Sequence, residues 1–177
     1  MSHRLILFRG MNTGGIRAPV GEQRAMAEAL GLKNPRTLLA SGNLVVESDR
    51  EPRALESEIE AETERRFGRR IGTLVKTPAD WSALVAANPF SAEALTAPSK
   101  LLVVLFRDPV PPGALQATAA LATGDEKAAE AAGALWLWLP DGIGRSKMAE
   151  KTPPGPVGLV TARNWNTVVK LAAMVGL

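Results

Sequence analysis

Apolar residues fall along this chain in short blocks whose spacing changes from strand-like to helix-like and back. The first block, "LILF" (5–8), is too short for a helix and is bounded by polar residues, so it reads as a strand. A helix is expected over 19–30, with Pro19 at its start, Met26, Ala27 and Leu30 inward, and Gly31 as its stop. "RTLLA" (36–40) and "LVVES" (44–48) read as strands joined through "SGN" (41–43) in a hairpin. The clearest helix is 51–68, where Leu55, Ile59 and Phe67 recur at helical spacing and Gly68 closes the run. "IGTLVK" (71–76) is the next strand. A helix over 78–87 follows and ends at "NPF" (88–90), because Pro89 biases Asn88 away from helical geometry.

The order then starts again. "KLLVVLF" (100–106) is a strand, 113–122 a helix, and "EKAAEA" (126–131) and "ALWLWL" (134–139) two strands. A short helix is expected at 146–151, a strand at "VGLV" (157–160) and a last helix over 162–176, with Thr161 as its N-cap. Strand–helix–strand–strand–helix–strand is the path of the ferredoxin-like α+β unit. The predicted fold is therefore a tandem duplication of two ferredoxin-like (βαββαβ) halves, 1–97 and 98–177, each followed by an extra helix and packed as one body. Strands 5–8 and 101–106 are apolar at every position, so both their faces should be covered. The extra helices are the candidate covers.

Composition narrows the chemistry. The 177 residues are 46% hydrophobic and 22% charged, a globular profile. The absence of cysteine excludes disulfides, thiolate catalysis and cysteine-held metal. The one histidine, His3, stands near a terminus and reads as solvent-exposed, so no histidine triad or metal site is expected, and no tyrosine supplies a general acid. No apolar run approaches the ~20 residues of a membrane span, and the chain reads as cytoplasmic. Lys+Arg number 21 against 18 Asp+Glu, a mild excess that permits an anionic partner without demanding one.

The candidate chemistry lies in loops. "RGMNTGG" (9–15) leaves the first strand toward a helix N-terminus, where backbone N–H groups can hold an anion. It is not a dinucleotide fingerprint, which needs glycine where Asn12 stands, nor a P-loop, since Gly15 is followed by Ile16 and Arg17 rather than Lys and Ser/Thr. The ferredoxin-like path puts this loop and the "SGN" hairpin on one edge of the sheet. Arg9, Asn12, Gly14, Gly15, Ser41, Gly42 and Asn43 are thus expected as neighbours. In the second half, "DGIGRSK" (141–147) brings Arg145, Ser146 and Lys147 to the same edge as "TARNWNT" (161–167), with Arg163, Asn164, Asn166 and Thr167. Arg163 in a first helical turn opposes the helix dipole, which suits an anionic ligand better than it suits the helix. Trp165, Val168, Ala172 and Val175 form the inward stripe of that helix, with Arg163, Thr167 and Lys170 on another face.

Other signals are bland. Glu56, Glu58, Glu60, Glu62 and Glu64 read as the solvated side of the clearest helix, and Trp136 and Trp138 as packing residues on one strand face. No oxygen-ligand cluster with metal spacing appears. Three functions are carried forward. The first is a binder of a phosphorylated small molecule or nucleotide; no assembled nucleophile and base is visible, so any chemistry would have to use Lys147, Ser41 or Ser146, or a metal brought by the substrate. The second is a nucleic-acid module, disfavoured by 5% aromatics and the lack of an RNA-recognition signature. The third is a structural protein whose loops are well-built turns. A homodimer and the identity of any cofactor are left open.

"RGMNTGG", "RTLLASGN", "NPF", "GRSKM" (144–148) and "TARNWNT" together resemble the bacterial family called domain of unknown function 1697. The resemblance implies a duplicated α+β fold of ferredoxin-like halves and supplies no reaction. The stretch after Lys147 is short and proline-rich, which suggests that the second helix of the second half is a stub.

Overall fold

A computed structural model describes residues 1–12, 17–39, 42–152 and 158–177. Among these, eight strands and seven α-helices make a mixed α+β protein with two four-stranded antiparallel sheets. The first sheet contains β1 (Ser2–Phe8), β2 (Lys33–Thr37), β3 (Asn43–Ser48) and β4 (Thr73–Lys76), in the order β2-β3-β1-β4. Helix α1 (Val20–Ala29) joins β1 to β2, and α2 (Pro52–Phe67) joins β3 to β4. After β4 come α3 (Pro78–Ala86) and α4 (Ser91–Thr96).

The second sheet contains β5 (Leu101–Phe106), β6 (Lys127–Ala131), β7 (Ala134–Trp138) and β8 (Val160–Asn164), in the order β6-β7-β5-β8. Helices α5 (Ala114–Ala119) and α6 (Lys147–Lys151) are its crossovers, and α7 (Trp165–Met174) follows β8. By contact density the chain divides into two units, Met1–Trp81 with Lys170–Leu177, and Ser82–Val169.

Each unit has its own core. In the first, Ile6, Phe8, Leu44, Val46 and Val75 of the sheet meet Met26, Ala27, Leu55 and Ile59 of α1 and α2. In the second, Leu102, Val104, Phe106, Leu135 and Leu137 meet Ala114 and Met148. Each fully buried side chain of this size contributes about 1.5–3 kcal/mol. The opposite faces are buried too. Leu5, Leu7 and Val45 have no exposed surface, and Leu101, Val103, Leu105 and Trp136 at most 2%. That matches the all-apolar strands, which have no side to spare for water.

Several elements differ from the expected ones. β2 begins at Lys33, three residues early, and runs through Pro35. The strand is an edge, where a residue without an N–H is tolerated, and its register shifts between Lys33 and Arg36. Leu38 and Leu39 lie beyond β2, and Ala40 and Ser41 are outside the described residues. The strand expected at 157–160 is instead β8, Val160–Asn164, paired to β5 over its full length from Val160 with Phe106 to Asn164 with Leu102. Thr161 is therefore a strand residue and not a cap. Asn164 caps α7, its Oδ1 accepting from the Thr167 backbone N–H at 3.0 Å. Short α4 has no apolar periodicity to announce it. The stub is observed: α6 has five residues where α2 has 16.

The glutamates of α2 also depart from expectation. Glu56, Glu60 and Glu62 are buried. Val75 N–H donates to Glu56 Oε1 and Thr73 N–H to Glu60 Oε1, each at 3.0 Å. Four helical residues rise ~6 Å and two strand residues ~6.7 Å, so carboxylates at i and i+4 match alternate amides of an edge strand. α2 thereby covers the open edge of β4. His3, expected in solvent, is a half-buried strand residue beside Glu47.

Candidate polar site and family membership

The loop after β1 is built from its backbone outward. Arg9 N–H donates to Gly72 O at 2.8 Å, which ties the loop to the start of β4, while the Arg9 side chain is exposed. Asn12 turns the chain at φ 60, a conformation that asparagine tolerates. Its Nδ2 donates to Ala18 O at 3.0 Å, and its Oδ1 accepts from Ala18 N–H at 2.6 Å. Asn12 thus clamps the two ends of the loop. Fully buried Gln23 also donates from Nε2 to Ala18 O, and its Oε1 accepts no hydrogen bond among the described residues. Pro19, at the N-cap of α1, supplies no side-chain cap.

The hairpin lies beside this loop, as the path requires. Phe8 N–H donates to Gly42 O at 2.9 Å. A Cβ on Gly42 would lie 2.7 Å from Met11 Cβ and 3.0 Å from Phe8 Cβ, so the close approach needs glycine. Asn43 is fully buried and its Nδ2 donates to Leu38 O at 2.9 Å, which closes the hairpin. Gly14, Gly15 and Ser41 lie outside the described residues.

In the second unit, β7 ends at Trp138 opposite Leu101, and β8 ends at Asn164 opposite Leu102. The segments carrying Arg145 and Asn166 therefore both leave from the start of β5. Ser146 is buried and caps α6, its Oγ accepting from Ala149 N–H at 3.1 Å. Arg145, Lys147 and Asn166 are exposed. Thr167 is buried and its hydroxyl donates to Asn164 Oδ1, so it does not share an outer face with Lys170.

Arg163 is a half-buried residue of β8, not of a helical turn. It lies opposite Val103, and its Nη1 donates to Thr161 Oγ1 at 2.7 Å and Ala162 O at 2.8 Å, both neutral acceptors. Desolvation pushes its pKa down to about 10. The charged form is thus costlier folded than unfolded. That cost is present in full below pH ~10 and fades as the pH rises through that value.

The family model for "Protein of unknown function (DUF1697)" matches residues 1–136. The chain belongs to this family. Its fold is also that of a solved structure, the conserved bacterial protein SP0830 from Streptococcus pneumoniae, with a TM-score of 0.78 at 18% identity over 98% of each chain. No curated protein matches.

In this DUF1697 chain the motif residues divide by chemistry. Asn12, Asn43, Asn164 and Ser146 hold backbone groups, whereas Asn166 and the cations Arg9, Arg145 and Lys147 are exposed. The buried sheet faces leave no aromatic platform of the RNA-recognition kind on the central strands. Among the described residues no three His, Cys, Asp or Glu side chains converge to hold a metal, and no helix is long and apolar enough to cross a membrane.

One arginine escaped the sequence reading. Arg107 follows Phe106 as Arg9 follows Phe8, and its N–H donates to Leu159 O at 3.0 Å just before β8. The repeated "LILFRG" and "VVLFRD" were the signal for it.

Proposed function

We propose that this chain is a tandem duplication of a ferredoxin-like βαββαβ unit and that it binds a small phosphate-bearing anion at its polar loops in the bacterial cytoplasm. The duplication is supported by register. Phe8 pairs with Thr73 as Phe106 pairs with Val160, and Leu7 pairs with Asn43 as Leu105 pairs with Ala134. Gly42 and Gly133, both at positive φ, each precede the third strand of their half. The cytoplasmic assignment is supported by the sequence, in which no apolar run approaches the ~20 residues of a membrane span.

The observation that carries the ligand reading is Arg163. A half-buried guanidinium carried on a strand at a desolvation cost, with Thr161 and Ala162 among its partners, is suited to an incoming anion. Arg9, Arg145 and Lys147 supply further positive charge in their own loops.

Thermal shifts with inorganic phosphate, nucleotides, sugar phosphates, coenzymes and short RNA test this. A ligand at 100 times its Kd stabilises by about 2.7 kcal/mol, a shift of roughly 5–11 °C for a chain of this size. The expected result is a shift with a phosphate compound that is lost in Arg163→Met, while unliganded Arg163→Met stays within about 1 kcal/mol of the parent or above it. Arg9→Ala reports whether the first loop takes part. No shift with any compound, together with a loss of roughly 3 kcal/mol or more in unliganded Arg163→Met, refutes binding and leaves a structural arginine. A shift with RNA alone that collapses in salt replaces the small-molecule reading with a nucleic-acid one.

A further inference from the structure

Away from these loops, the bulged edge strand β2 and the last turn of α7 frame an open depression of about 750 Å3, and both belong to the first unit. Register puts its charged residues on one sheet face, since His3 lies opposite Glu47 and Arg36 opposite Val45, two residues along from Glu47. His3 Nε2 is 3.4 Å from Arg36 Nη2 and 3.9 Å from Glu47 Oε1, so opposite charges flank one imidazole nitrogen. Arg36 Nη2 donates to Met174 O at 2.7 Å. Nε and Nη1 of Arg36, and Oε2 of Glu47, have no partner among the described residues.

Two further features point to a ligand. Asn34 holds φ 48 within the irregular part of β2, and such bulges commonly re-aim side chains beside a site. The carbonyl end of α7, around Val175, carries the negative pole of a helix at the rim. We propose that this depression binds a small zwitterion of the amino-acid class. Its carboxylate is held by Arg36 and Asn34, and its ammonium by Glu47 and the carbonyl end of α7.

Charge selects this class. A bare anion meets Glu47 and the negative helix pole, and a bare cation meets Arg36. A ligand carrying both groups a few bonds apart satisfies each side, and the volume is ample for one. The site shares no residue with the loops proposed to take phosphate, so either can fail without the other.

The test is calorimetric titration of the full chain with each free amino acid at millimolar concentration, followed by the N-acetyl and amide derivatives of the best one. Binding of at least one amino acid is expected, weakened at least about tenfold by either derivative and by Glu47→Gln, the loss of one charge-assisted contact. Arg36→Lys should also weaken it, because an ammonium cannot reproduce the planar fork. If that variant loosens α7, Glu47→Gln decides, since Glu47 is not bonded to α7. No heat with any amino acid overturns the proposal. So does an N-acetyl derivative that binds as well as its parent, which marks a simple anion site, or unchanged affinity in Glu47→Gln with circular dichroism as in the parent.

Discussion

Replacing Gly42 with alanine separates backbone strain from packing, because the two proposed halves provide an internal control. Gly42 and Gly133 both stand immediately before a third strand, at φ 90 and 67. Placing an L-residue in this region costs roughly 1–2 kcal/mol at either position. At Gly133 that is the whole cost, since among the described residues nothing lies within 4 Å of the added Cβ. At Gly42 the new atom comes within 2.7 Å of Met11 Cβ and 3.0 Å of Phe8 Cβ. Neither can rotate away, and both residues are buried in the first core. Relief must come from backbone movement, and overpacking of this kind costs about 1–3 kcal/mol more. Gly42→Ala should therefore lose roughly 2–5 kcal/mol and Gly133→Ala roughly 1–2. Urea denaturation followed by far-ultraviolet circular dichroism resolves the difference, with a slope of about 1–3 kcal/mol per molar. A midpoint for Gly42→Ala at or above that of Gly133→Ala refutes the close packing of hairpin on loop.

Two predictions concern α2. Glu60→Leu leaves the Thr73 N–H and Arg70 without their carboxylate and should cost about 1–3 kcal/mol. Glu60→Gln keeps an acceptor and should cost less, and hydrogen exchange at Thr73 should speed up in the leucine variant alone. The Glu62 carboxyl is held below the ordinary carboxylate range, first by hydrogen bonds from Arg65, against the opposing pull of burial, and further by the charges of Arg65 and Arg66. Because the folded value is the lower one, this stabilisation is full above the ordinary glutamate range and fades as pH falls through the folded value. The stability gap between the parent and Glu62→Gln should therefore close on acidification, and a gap independent of pH denies the ion pair its role.

The parts of the fold legible in the sequence are those where burial sets the pattern. β1, α2, β5 and β7 all carry dense apolar positions, and their limits fall within a few residues of expectation. Errors arose where a polar or breaking residue had two permissible roles. The expected strand began at Arg36, after Pro35, but an edge strand has no need of the missing N–H on its open side, and β2 runs through the proline. Thr161 and Asn164 are both competent caps, and the ladder from Val160 to Asn164 onto β5 decided for Asn164. Helical periodicity located the apolar stripe of α2 but could not see that Glu56 and Glu60, at its margin, reach the edge of β4. The neighbourhood of loop and hairpin was legible from topology. The task of each polar side chain was not, because an asparagine that clamps a loop and one that greets a ligand look alike in sequence.

That distinction narrows the ligand reading. Glycine-rich loops hold anions either with a nest of amides or with cationic side chains. The asparagine amides at Asn12 and Asn43 are committed to Ala18 and Leu38, and the Ser146 hydroxyl to its own helix. The positive charge of the motifs is exposed at Arg9, Arg145 and Lys147 and desolvated at Arg163, whose Nη1 donates to Thr161 and Ala162. These two kinds of cation respond differently to salt. The Debye length falls from ~10 Å at 0.1 M to ~3 Å at 1 M, which screens exposed charges strongly and desolvated ones weakly. A phosphate ligand held by Arg163 should therefore keep much of its affinity in high salt, whereas one gathered by the exposed cations alone should lose nearly all of it. A salt titration of the phosphate-induced thermal shift thus assigns the anion to a built site or to a diffuse positive surface, and only the first is consistent with the cost that the fold carries at Arg163.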